Sequence, residues 1–498
     1  MPNRTKRMNP RSTALRRVLG AVACAPLSLG AVAYAATPAA PRLLDWGNYA
    51  DDGARGGQAP VEAPKPTPRP APPPPAPPPS SVAAPAAEGA RVFFERMVKQ
   101  ALALSPEVRE ASARWQATEH DIEQAKGQRW PQVQFGLASP SATFGNGTND
   151  SARNAIGAVS ITTPLYDWGR INSTIGSRTE TAKATYQELE QAREKVAFDT
   201  VSALVELRRN ERLLALSQAY VKRMTELVEM LGEIVRSDRG RASELTQARA
   251  RRLQAMATRD LALSKLREIQ VGLVRLVGVE VQLPPQVRWD VQAVDLQEAQ
   301  AAAPEHPLLQ QARAEARAAT LHADSVRASR WPQLNWVIAK TTQEDSFGNR
   351  QPWATGLSLQ WSLFQGGSGA ASERAAFERA LASEEKALAA SRDLDFRLRT
   401  AAEQRDAALG RASEYLELIA ESDQVRRMFF EQWHHLGTRT LLDVLIAEND
   451  FFNNQVAQAN SLVDGEAADL RMRSDAGILL SWLGDPGYGA PAPKGDAR

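Results

Sequence analysis

Cysteine is nearly missing from this sequence: Cys24 is the only one in 498 residues. That excludes a fold stapled by disulfides and a zinc site built on thiolates. Histidine is scarce as well. His120, His306, His322, His434 and His435 show no metal-ligand spacing, so no metal and no other cofactor is expected. P-loops, dinucleotide glycine fingerprints and Ser-His-Asp signatures are absent, which argues against an enzyme. Beyond residue 35 no run of eighteen apolar side chains occurs, so no transmembrane helix is expected. A chain of this kind crosses a membrane only as a β-barrel.

What is present begins with a signal. Arg4, Lys6, Arg7, Arg11, Arg16 and Arg17 precede an apolar stretch from Val18 to Val32 and the triplet Ala33-Tyr34-Ala35, the build of a cleavable secretory peptide over residues 1–35. Only six residues separate Arg17 from Cys24, too few for the apolar core of a lipoprotein signal, so lipidation of Cys24 is disfavoured. Cleavage removes six of the 60 basic residues and no acidic ones, leaving 54 against 58 and a formal charge of −4. A nucleic-acid-binding role loses its electrostatic support. Residues 36–88 follow as a Pro/Ala-rich tail, with unbroken proline from Pro72 to Pro75 and from Pro77 to Pro79. Such a stretch favours polyproline II and acts as a spacer of about 3 Å per residue. Within it, Leu43-Leu44-Asp45-Trp46-Gly47-Asn48-Tyr49 reads either as tether or as a short docking peptide. Residues 485–498 read as a disordered C-terminal tail.

From residue 89 the chain repeats itself. Arg129-Trp130-Pro131-Gln132 returns 201 residues later as Arg330-Trp331-Pro332-Gln333, each time after a helical stretch. Repeat 1 spans 89–290 and repeat 2 spans 291–484. After each R-W-P-Q comes alternation of period two. Val133, Phe135 and Leu137 share one side against Gln132, Gln134 and Gly136, and Leu334, Trp336 and Ile338 oppose Gln333 and Asn335. Turn-rich segments follow, and alternation then resumes through Val159 and Ile161, and through Leu357, Leu359, Trp361 and Leu363. Hairpins are therefore expected at about 131–164 and 332–363. An apolar face opposed by small and polar residues fits a sandwich hairpin with one buried face. It equally fits a lipid-facing barrel, with Trp130, Trp168, Trp331, Trp353 and Trp361 as an aromatic girdle. The adjoining helices favour the barrel, because no other strands exist to pack against.

Each hairpin runs into a very long helix, about 167–236 and 369–436, through Thr163-Pro164-Leu165-Tyr166-Asp167-Trp168-Gly169-Arg170 and Ser362-Leu363-Phe364-Gln365-Gly366-Gly367. Tyr220, Met224, Leu227, Leu231 and Ile234, and likewise Leu409, Ala412, Leu416 and Ile419, have coiled-coil spacing. Both helices pause and resume. The first breaks at Ser237-Asp238-Arg239-Gly240. The second breaks at Gly437-Thr438-Arg439-Thr440, since Gly and Thr are poor in a helix interior. The second arm is expected to run from Leu441 to about Leu483. The fold class is mixed and mainly α: two tandem repeats, each a short helix, a β-hairpin, a very long helix and a second helix. Four strands cannot close a barrel, and lipid tolerates no open edge, so several copies must share one.

The two-repeat plan, the strand-to-helix junctions and above all Gly437-Thr438-Arg439-Thr440-Leu441-Leu442-Asp443-Val444-Leu445 resemble the TolC-type outer-membrane channels of Gram-negative efflux and type I secretion. The resemblance covers about Val92 to Leu483. It implies a homotrimer in outer-membrane lipid, with a twelve-stranded barrel continued by a periplasmic α-helical coiled-coil barrel. It further implies an end opened by a periplasmic adaptor and an inner-membrane translocase, bonds from Arg439 that hold that end shut, and an acidic ring at Asp443. Departures are the position of a second aspartate, here Ile446, a tyrosine replaced by His434, and a proline replaced by Ser362.

Threefold symmetry would turn Asp443, and with it Glu244 in the matching break of repeat 1, into rings of carboxylates that favour cations. Asp443 equally suits a first-turn capping role after Thr440. Thr438, Thr440 and His434 join Arg439 as the expected gate clamp, with His434 the candidate for pH sensitivity. Gly437 and Gly240 mark the helix breaks. The function expected is a passive outer-membrane exit duct powered by a partner, foremost for type I protein secretion beside an ABC transporter. The alternative is the outer channel of a multidrug efflux pump, and a structural periplasmic coiled coil is the third reading.

Overall fold

The computed structural model describes residues 89–138, 156–284, 293–342, 349 and 352–484. The chain divides into two units, Met1–Ser80 and Ser81–Arg498. The first lies outside the described residues, as do the expected signal peptide, the whole proline-rich tail with its Leu43–Tyr49 segment, both hairpin tips and the C-terminal tail. All of the described residues belong to the second unit.

Each repeat is built in the same order. Helices α1 (Ala90–Leu104) and α2 (Pro106–Gly127) lead into β1 (Gln132–Ala138) and β2 (Ile156–Tyr166), then α3 (Arg170–Ser237) and α4 (Ala242–Val277). Helices α5 (Leu296–Ala302) and α6 (Pro307–Ala328) lead into β3 (Gln333–Thr341) and β4 (Ala354–Gln360), then α7 (Ser368–His434), α8 (Leu441–Asp475) and the short α9 (Leu479–Leu483). The 68 residues of α3 and the 67 of α7 make rods about 100 Å long at 1.5 Å per residue. Among the described residues no helix is long and apolar enough to cross a membrane.

The strands form one antiparallel sheet in the order β1-β2-β3-β4, so the two hairpins lie side by side. Directly opposed residues share a face, and the register places Val133, Ile161 and Ile338 in one row, with Trp336 beside Leu357 and Leu334 beside Leu359. The other face carries Gln134, Ser160 and Ala339 in one row and Asn335 beside Ser358. Among the described residues nothing covers the apolar face: Phe135 is 68% and Leu357 69% exposed. The outer edges of β1 and β4 have no strand partner among the described residues.

Two local details differ from the expectations set by the sequence. Pro164 is not the turn into the helix but lies within β2, where the register shifts between Pro164 and Tyr166. Proline has no N–H for the ladder, so the strand bulges there and continues. The long second arm of repeat 2 also ends early, at Asp475, because Gly477 at φ +70 turns the chain before α9.

Among the described residues three apolar clusters hold the rods, one of them joining α5, α7 and α8 through Ala299, Leu398 and Met472. At mid-height, Phe93, Phe94, Met97 and Val98 of α1 pack on Val201, Leu204, Val205 and Leu207 of α3, with Leu273 and Val277 of α4 and all three leucines of α9. Burying each such side chain stabilises by about 1.5–3 kcal/mol. Helix α9 is too short to satisfy its own first amides. The buried Glu194 carboxylate accepts the N–H groups of Leu479 (3.0 Å) and Leu480 (3.4 Å) in their place. The remaining cluster lies where the helices break, and it frames the candidate site.

Candidate functional site

At the end of the rods remote from the sheet, both long helices stop and restart within a few residues. In repeat 1, Asp238 accepts the N–H of Gly240 at 2.9 Å, and a single tight turn, Arg239–Arg241, leads into α4. Glu244 is the third residue of α4 and pairs with Arg241 at 3.0 Å. In repeat 2, Gly437 adopts φ +62, a left-handed conformation that glycine takes without a Cβ clash. The chain thereby turns back, and the Thr438 N–H donates to the Gln432 carbonyl at 3.0 Å.

Thr440 and Asp443 then close a capping box. The Asp443 N–H donates to the Thr440 hydroxyl oxygen (3.3 Å), and the Thr440 N–H and hydroxyl donate to the Asp443 carboxylate (3.2 and 2.9 Å). The Thr440 backbone bond, then its hydroxyl, and the charge of Arg439 hold the Asp443 carboxyl below the usual carboxylate range. Arg439 bonds within its own chain, its Nε donating to Gln432 Oε1 at 3.1 Å while its guanidinium lies 4.3 Å over the Phe429 ring. His434 stacks on Phe430, and its Nδ1 lies 3.3 Å from that of His435. Leu442 and Ile446, one turn apart, are exposed on either side of Asp443, so the position three residues after Asp443 presents an apolar side chain. Glu244 and Asp443 thus hold equivalent third positions in α4 and α8, Glu244 ion-paired with Arg241 and Asp443 hydrogen-bonded to Thr440.

Sequence reasoning missed what binds the two breaks together. Trp433 is buried against Met224, Leu227, Leu231, Leu245, Leu441 and Leu445, and the Arg241 guanidinium lies 5.4 Å over its ring. One turn higher, the buried Glu448 carboxylate of α8 receives Arg223 of α3 at 2.6 Å and Arg426 of α7 at 3.4 Å, joining three helices at one point. The signal was present: Glu448 continues the stripe Leu441, Val444, Leu445, Phe452, and an acid on an apolar stripe needs a buried partner.

The tryptophans distribute unevenly. Trp130, Trp168, Trp331 and Trp361 all lie at the helix end of the sheet, and only Trp353 lies at the far end, ahead of β4. Trp168 sits at φ +57, where its counterpart in repeat 2 is Gly366 at φ +62. An indole there costs on the order of 1–2 kcal/mol of backbone strain. It is held by a tilted ring contact with Trp331, centroids 5.4 Å apart, and by donating its Nε1–H to the Pro332 carbonyl at 2.8 Å, a lock between the repeats. Among the described residues no group of His, Cys, Asp and Glu is arranged to hold a metal ion.

Residues 97–279 and 298–472 match the family model described as "Outer membrane efflux protein". No curated protein sequence matches the chain. Its fold is similar to CusC, with 15% identity and TM-score 0.69, covering 80% of this chain and 95% of that one. It is also similar to the outer membrane protein VceC of Vibrio cholerae, with 19% identity and TM-score 0.66, covering 77% and 96%. The open state of the MtrE outer membrane channel of Neisseria gonorrhoeae aligns with 16% identity and TM-score 0.64, covering 80% and 94%. The family match divides at the boundary between the two repeats and takes in both helix breaks, so the chain belongs to the outer membrane efflux protein family: it is a TolC-type channel protein, not an enzyme, that resides in the outer membrane with a large periplasmic part.

Proposed function

We propose that three copies of the chain assemble, each giving four strands to a twelve-stranded barrel and its helices to a periplasmic tunnel. In this assembly the protein is the passive exit duct of a tripartite exporter. One observation carries the reading: among the described residues the sheet has an uncovered apolar face and two unpaired edges. The apolar face suits a lipid surround, but the edges are not stable in lipid unless neighbouring copies supply the missing strands. Phe377, Leu381 and Leu388, exposed on one side of α7 at spacings of four and seven, support the same partner for the rods. The Asp443 carboxylates would then encircle the periplasmic end, with Glu244 below or beside them, and Arg439, Thr438, Thr440 and His434 would set how easily that end opens toward an adaptor and an inner-membrane translocase.

The loop Gly437 to Leu445 supports protein export beside an ABC transporter, and the family's description as efflux proteins supports small-molecule export. A deletion strain separates them by whether secreted proteins disappear or drug sensitivity rises. For the assembly, Gln134→Cys combined in turn with Gly356→Cys, Ser358→Cys or Gln360→Cys places thiols on one face of β1 and β4. Three strand spacings, about 14 Å, separate those strands within one chain, so any disulfide must join two copies. Crosslinked dimers and trimers are expected for at least one pair; no crosslink with any of the three contradicts the assembly.

A further inference from the structure

Where α6, β4 and α7 meet, a cleft of about 900 Å3 opens that the duct does not use. One wall is basic. Arg327 and Arg330, at the end of α6, share a single carboxylate, Glu373 of α7: Arg330 pairs with it directly, and the Arg327 Nε lies 3.9 Å away. One positive charge is left over. The other wall is apolar, formed by Trp361, Leu363 and Phe364, of which Leu363 is 74% and Phe364 87% exposed. Trp361 donates its Nε1–H to the Arg330 carbonyl at 3.1 Å, which fixes the indole against the basic wall.

The direction in which the cleft opens follows from the register. Trp361 and Leu363 continue the alternation of Leu357 and Leu359, so they extend the apolar face of the sheet, the side that membrane covers. The level is where the strands give way to helices, at the periplasmic boundary of the outer membrane. The basic pair belongs to the repeated joint: Lys126 and Arg129 stand 201 residues before Arg327 and Arg330, the offset of the R-W-P-Q repeat itself.

A free anion would gain nothing from Leu363 and Phe364, and an acyl chain alone would gain nothing from the two guanidiniums. We propose that the cleft binds a glycerophospholipid of the periplasmic leaflet, its phosphate on Arg327 and Arg330 and its acyl chains along Leu363 and Phe364. The surplus positive charge selects an anionic headgroup. The site requires only that the sheet lie in the outer membrane, not that three copies close it.

The test is native mass spectrometry of the full, delipidated protein in detergent, titrated with phosphatidylglycerol and counted as lipid per chain, whatever the oligomer. The Arg327→Gln, Arg330→Gln double variant is expected to bind about tenfold more weakly, through loss of charge-assisted bonds to phosphate. Glu373→Gln removes the competing carboxylate and is expected to bind several-fold more tightly, an effect that a merely disturbed fold would not produce. Excess inorganic phosphate is expected to leave the lipid in place. Undiminished binding by the double variant, unchanged or weaker binding by Glu373→Gln, or displacement by inorganic phosphate would each overturn the proposal.

Discussion

The Asp443 carboxylate accepts two hydrogen bonds from Thr440, and these hold its pKa below the usual range. A carboxyl with a lowered folded pKa contributes its stabilisation above the unfolded value and loses it only as pH falls through the folded one. The ring proposed for the trimer should therefore keep its charge throughout mildly acidic conditions. Cation preference, read as reversal potential across a planar bilayer, is expected to be the same at about pH 7 and pH 5 and to fall in Asp443→Asn. Glu448 makes a contrasting case, because its charge is buried between Arg223 and Arg426. Glu448→Ala leaves two guanidiniums short of their shared partner, a loss of about 3 kcal/mol or more. Denaturant unfolding measures the loss, and hydrogen exchange is expected to locate it in the first turns of α8.

At the scale of elements, helix caps decide where the rods begin, and one of them titrates. His306 precedes α6, and its Nδ1 accepts the Leu308 N–H at 3.0 Å. Burial, aided by the charge of Arg397, brings its pKa down to about 4 against the opposing bond with the Ser474 backbone. The folded state thus needs the neutral ring: the contribution is complete above the unfolded value near 6.5 and is lost as pH falls toward 4, about 3 kcal/mol in all. His306→Asn keeps a capping oxygen that does not titrate. It is expected to flatten the decline in melting temperature between about pH 6.5 and 4.5, and an unchanged decline would contradict this role for His306.

Much of this scale was legible in the sequence. The R-W-P-Q offset marked the repeat, period two marked the two faces of the sheet, and Gly437 between poor helix formers marked the break. Contacts between distant residues left no such trace. Arg223 and Glu448 are 225 positions apart, and nothing local announces that they meet. The contact of Trp168 with Trp331 leaves no sequence trace either, because a positive φ at a tryptophan is invisible until the chain is folded.

At the scale of the whole molecule, one chain leaves too much undone. Its sheet shows apolar side chains on an uncovered face and, among the described residues, unpaired amides at both edges, and α7 carries an exposed apolar stripe. A threefold assembly would pair the edges, cover the α7 stripe and leave the apolar face to lipid, and the family places the protein in the outer membrane. The most direct test is the mass of the protein extracted from outer membranes, measured with its detergent subtracted. Three chains per particle, obtained only when detergent is present, is the predicted result. A single chain that stays in solution without detergent would contradict the shared barrel.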